Sequence, residues 1–159
     1  IEAVKKVRAE NCKIELVVFG EKLENPTPLY EEAGFEFEYH FRPTGETLRK
    51  IYSSCGTFLC SSWYEGLGMP AMEAMMCGTA LVTTDTGGSR DYALNKETAL
   101  VSPIKNPEAL AKNLIRVLTD EPLRIQLAEK GYQKIQQFSW DSNCEQLVKC
   151  FEKSLDDRK

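Results

Sequence analysis

The chain has 159 residues, a net charge of −4 and a pI near 5.2, with 42% hydrophobic and 28% charged residues. This is enough apolar material for one packed domain, and charges of both signs interleave along it, so it carries no basic footprint for nucleic acid or an anionic membrane. Six cysteines without a CxxC pair, and a single histidine, His40, near none of them, argue against zinc and for a reduced chain; with no apolar run of about 18 residues and no basic-then-apolar leader, the expected location is cytoplasmic, including the cytoplasmic face of a membrane.

The opening IEAVKKVRAE has the spacing of an amphipathic helix with no strand ahead of it, which predicts a chain cut from something longer. Residues 14–19 (IELVVF) predict a buried strand ended by Gly20, and the proline-rich ENPTP at 24–28 predicts a surface loop. Alternation over 36–41 predicts a second strand. A helix follows over about 44–54, with Leu48, Ile51 and Tyr52 on one face. Residues 57–60 form a short apolar strand, 66–70 a Gly-x-Gly-x-Pro turn, 70–77 a helix and 80–84 another strand. A weaker strand is predicted at 98–102. Asn106, Pro107 and Glu108 then start a helix that buries Leu110, Leu114 and Leu118. Two further helices are predicted over roughly 121–137 and 142–155. The last carries Leu147, Val148, Phe151 and Leu155 on an apolar side, and Ser142 and Glu145 have capping-box spacing.

Strands separated by single helices require crossover connections, which predict an α/β domain of Rossmann-like architecture: a mostly parallel sheet with helices on both faces. One domain is expected over residues 1–159, with 139–159 as its terminal helix. The turn reads Gly66, Leu67, Gly68, Met69, Pro70 and lacks the GxGxxG fingerprint, which disfavours NAD or FAD. It lies where ligands bind in such folds. Gly66 and Gly68 let backbone approach a ligand, Pro70 suits the first helical position, and the unpaired amides past the turn make an anion seat. Glu65 precedes the turn; Glu73 follows it, by this reading in the first helical turn. Alone, Glu73 is a favourable charge near a helix N-terminus, worth about 0.3 to 1 kcal/mol. Cys60, Cys77 and the methionines Met69, Met72, Met75 and Met76 read as packing groups, and His40 as structural.

Two carboxylates eight apart signify little by themselves; their frame is what is specific. Ser61 and Ser62 stand before, GLGMP between and EAMMCG after, followed by an apolar strand and Gly87-Gly88. On these residues the chain resembles the C-terminal, donor-binding domain of a group 1, retaining glycosyltransferase of the GT-B fold, Glu65 and Glu73 matching that family's E-x7-E motif. IELVVFG, FRPTGETLRKIYSSC, PIKNPEALAKNLIRVLTD and FSWD at 138–141 extend the resemblance over most of the chain. It implies transfer of a hexosyl or related group from a nucleotide-diphosphate sugar, as substrate, to a glycan, lipid or small-molecule acceptor. Configuration would be retained, with no metal and no cofactor. It also implies that Glu65 acts on the donor sugar as the catalytic residue. The amides of Gly66, Leu67, Gly68 and Met69 would meet the donor, Glu73 would take both ribose hydroxyls, and Phe41 and Arg42 would lie beside the base and nucleotide. The family's first strand, a basic pair and the acceptor-binding N-terminal domain would lie ahead of Ile1, so these 159 residues alone are expected to be inactive. The sequence departs from the family after Gly87-Gly88, with Arg90 and Asp91 where a proline and a glutamate are common, and with Ala99 in place of a glycine. Arg90 reads as a surface charge or a phosphate contact. Two other classes fit the same residues: a GT-B sugar-nucleotide epimerase and a non-catalytic nucleotide-binding module.

Overall fold

The structure, a computed structural model, describes residues 1–10, 12–21 and 25–157. Along these the elements run α1 (Glu2–Ala9), β1 (Val17–Gly20), α2 (Thr27–Ala33), β2 (Glu38–Phe41), α3 (Gly45–Ser54), β3 (Thr57–Cys60), α4 (Met69–Met76), β4 (Ala80–Thr84), β5 (Ala99–Ser102), α5 (Pro107–Thr119), α6 (Glu121–Ile135) and α7 (Trp140–Asp156). Every strand pairing is parallel, as the Rossmann-like reading requires.

The core is organised by β4, whose five residues are all buried. Successive side chains of a strand point to opposite faces, so Ala80 and Val82 join one apolar cluster with Val7, Leu100, Leu114, Val117 and Leu127. Leu81 joins the other with Met72, Met75, Tyr92, Ala99 and Ile135. A strand covered on both faces tends to be continuously apolar, which is what makes residues 80–82 legible, while the buried Thr83 and Thr84 complete the strand.

The strands fall into two sheets, β1-β2 and β3-β4-β5, where one was expected. Between β1 and β3 lies a cleft of about 970 Å³, lined by residues 15–19 on one side and 57–62 on the other, with Ile51, Tyr52 and Ala71 contributing. The 14–19 strand, expected to be buried, is correspondingly shorter, and its four residues are only half-buried because one edge faces this cleft. An aromatic group reaches across it. The Phe19 and Phe58 rings stack at 6.4 Å, and Tyr52 meets both edge-on at 5.6 Å.

Two local expectations are corrected. The loop assigned to 24–28 gives way to α2 at Thr27; residue 24 lies outside the described residues. Asn25 is the reason, since its Oδ1 accepts from the Thr27 amide at 3.0 Å and hydroxyl at 2.7 Å, while Pro28 sits in the first turn. In α7 the cap is Ser139, whose Oγ accepts from the Ser142 amide at 3.1 Å. The helix therefore starts before the Ser142 and Glu145 pair can cap it. None of the α7 residues is buried, and its apolar side, Leu147, Val148, Phe151 and Leu155, faces solvent. The cap assigned to Asn106 is present, its Oδ1 accepting from the Ala109 amide at 3.0 Å.

Candidate functional site

Parallel pairing of β3 with β4 brings their carboxyl ends to one edge, and there the two following loops are tied together. The Thr84 hydroxyl donates to the Ser62 carbonyl, and the Glu65 amide donates to the Thr86 carbonyl at 3.5 Å. Beneath the glycine turn the backbones nearly touch: a Cβ built on Gly88 would stand 1.8 Å from the Gly66 carbonyl oxygen. Only glycine fits at position 88.

Gly68 has φ +79, and a Cβ there would meet the Tyr92 hydroxyl at 2.6 Å. That hydroxyl donates to the Gly68 carbonyl at 3.3 Å. Burial, helped by the charges of Cys60 and Glu65, pushes the Tyr92 phenol up to about 12, so it remains a donor at neutral pH. The turn is thus clamped from below by Gly88 and Tyr92, both supplied by the segment between β4 and β5.

The left-handed Gly68 starts α4 directly at Met69, its carbonyl accepting from the Ala71 and Met72 amides at 3.0 and 3.3 Å. The amides of Gly66, Leu67, Gly68 and Met69 make no hydrogen bond among the described residues. Pro70 is therefore the second helical residue and not the first. Glu73 falls beyond the first turn, which holds no acidic residue. The helix dipole acts mainly within that turn, so another group must hold Glu73. Tyr52 does so, its phenol donating to Glu73 Oε2 at 3.0 Å. Burial, then the Glu73 charge, raises the Tyr52 phenol well above its usual 10.

The cleft wall brings together Glu65, Gly68, Tyr52, Ser61, Ser62 and Pro70. Glu73 is half-buried and is not part of that wall; it reaches the wall through Tyr52. Trp63, Tyr64, Leu67 and Met69, which flank Glu65 in the chain, are all exposed, and the Lys105 ammonium lies 4.6 Å above the Trp63 ring. Phe41 and Arg42 stand at the end of β2, both exposed and both apart from the cleft wall. Arg42 has φ +48, and its amide donates to the Gly20 carbonyl at 2.9 Å.

Other candidates are engaged elsewhere. Arg90 grips Asp85 with two hydrogen bonds of 2.8 Å, which lower the Asp85 carboxyl. His40 Nε2 is 2.6 Å from Glu38 Oε1. All six cysteines are free thiols, and the described residues contain no cluster of metal-ligating side chains and no helix long and apolar enough to cross a membrane. Sequence reasoning missed Tyr52 as a partner of Glu73 and missed Tyr92 altogether. Tyr52 gave only a helical-face signal, and Tyr92 gave none. Gly88 was legible as part of a Gly-Gly pair, but its contact with Gly66 was not.

Parallel strands alternating with helices, and a glycine turn opening a helix at a strand's carboxyl end, place the chain in the Rossmann-like α/β class. A family model described as glycosyl transferases group 1 matches residues 1–134, and the chain belongs to that family. Among curated relatives it is similar to D-inositol 3-phosphate glycosyltransferase of Salinispora tropica, 31% identical over 134 residues, covering 81% of this chain and 28% of the relative. The chain thus spans under a third of that protein's length. Among solved structures it is similar to sucrose-phosphate synthase of Thermosynechococcus elongatus, with a TM-score of 0.83 and 23% identity over 98% of this chain and 42% of that one. It is also similar to Anabaena Alr3699/HepE, crystallised with UDP and glucose, with a TM-score of 0.77 and 16% identity over 95% of this chain and 44% of that one. At these identities the two structures establish the shared GT-B fold.

Proposed function

We propose that the chain is the donor-binding domain of a cytoplasmic glycosyltransferase that moves a sugar from a nucleoside-diphosphate sugar to an acceptor with retention of configuration. The observation that carries this reading is the clamped turn, which sets Glu65 in the cleft wall beside backbone amides that have no partner among the described residues. A diphosphate leaving group gains negative charge as the glycosidic bond breaks. Fixed amides at Leu67, Gly68 and Met69 stabilise such charge without reorganising, and losing one such donor costs about 10² to 10³ in rate. This reading requires no metal. Glu65 holds donor-sugar hydroxyls and offsets positive charge on the anomeric carbon, and the departing phosphate takes the acceptor proton. Glu73 binds the ribose hydroxyls, and Phe41 and Arg42 contribute on the nucleotide side. The UDP and glucose in the Anabaena neighbour support a nucleotide-sugar donor.

The test is calorimetry of nucleoside diphosphates on the 159-residue chain beside a melting curve. Glu73→Ala is expected to weaken binding about 10-fold or more, as loss of hydrogen bonds to a charged group does, with the fold kept and the melting temperature lowered by the unpaired Tyr52 phenol. Unchanged affinity would reject the ribose role. On its own the chain is expected to bind such nucleotides weakly and to transfer nothing; turnover would refute that.

A further inference from the structure

We propose that Tyr52 is a positioning residue for donor binding: its buried phenol sets the Glu73 carboxylate in the orientation that receives a ribose diol. This rests on the assignment of Glu73 to the ribose. A glutamate has several freely turning bonds, and gripping two neighbouring hydroxyls demands that both oxygens be presented together; immobilising the side chain beforehand removes an entropic cost from binding.

Tyr52 is built to be such an anchor. It is 3% exposed, its ring is fixed edge-on between Phe19 and Phe58, and its carbonyl accepts from the Thr79 hydroxyl at 3.0 Å. Its phenol therefore has little freedom when it donates to Glu73 Oε2. Glu73 Oε1 makes no hydrogen bond among the described residues. An ionised carboxylate offers about four lone-pair sites, so one bond from Tyr52 leaves both oxygens able to accept again. The link also crosses from α3 to α4, and a mere strut between helices would look the same at rest. Ligand discrimination separates the two.

The experiment measures affinity by calorimetry for UDP, GDP and ADP and for their 2′,3′-dideoxy analogues, on the wild-type chain, Tyr52→Phe, Glu73→Ala and the double variant. Phenylalanine keeps the ring and its aromatic contacts, so folding is preserved. The wild type is expected to favour the ribose form of the nucleotide it binds, and Tyr52→Phe to cut that preference about 10-fold while leaving the dideoxy affinity unchanged. In the Glu73→Ala background the tyrosine change should add nothing. If Glu73→Ala removes the ribose preference and Tyr52→Phe preserves it, the positioning role is overturned and the ribose role stands. Equal weakening for both sugar forms, with a lowered melting temperature, would make Tyr52 a strut and also overturn it. If Glu73→Ala has no effect, or no nucleotide binds, the donor-binding reading fails first and takes this role with it.

Discussion

Two glycines that meet where the loops after β3 and β4 touch have opposite demands, and the difference is measurable. Gly88 lies against the Gly66 carbonyl at a separation no methyl group can occupy, whereas a Cβ on Gly66 itself meets no heavy atom within 4 Å. Gly88→Ala is expected to cost about 1 to 3 kcal/mol as the two loops are forced apart. Gly66→Ala is expected to change stability by less than about 0.5 kcal/mol. Chemical denaturation of both variants checks the contrast, and equal destabilisation would contradict it. Nucleotide affinity of Gly66→Ala then reports whether a ligand comes against that backbone. At this scale the sequence revealed which residues matter better than it revealed why. Glu65 and the glycines were legible from their local frame. The partners of Glu73 and Gly68, however, are tyrosines 21 and 24 residues away, and pairing at that distance leaves no periodic trace.

Helices and strands were legible where their period was backed by punctuation. Asn106 and Pro107 announce α5, and the alternation before residue 41 announces β2. Where punctuation has two meanings the reading failed: Asn25, Pro26 and Pro28 suit a loop and equally the start of a short helix, and the structure uses them for α2. Similarly, Ser139 and Ser142 both suit a cap, and the earlier one prevails. The pattern of α7 was read correctly as amphipathic, yet amphipathicity does not say what the apolar side meets. Within the described residues that side is bare, with Trp140 87% exposed. A helix held by no buried contact opens at little free energy. Amides of α7 are therefore expected to exchange with solvent far faster than those of β4, read by hydrogen exchange and mass spectrometry; protection equal to β4 would contradict this.

For the whole molecule, the α/β class followed from the alternation of elements, while the division into two sheets did not. Which strand neighbours which is a question of long-range register, and each short strand reads alike whether its edge is paired or open. The two apolar clusters on either face of β4 make that strand the rigid spine, and the site sits at its carboxyl end, where the loops from β3 and β4 are bound to each other.

The gap between β1 and β3 has a consequence for how the protein behaves in bulk. Among the described residues β1 pairs only with β2 and β3 only with β4, so each keeps one strand edge unpaired, and unpaired edges template the addition of an extended peptide. Concentrated samples of the 159-residue chain should grow heavier by swapping or stacking segments into this slot. Light scattering over a dilution series would register that as a rising mean mass, and a constant monomer mass at every concentration would show the slot to be inert.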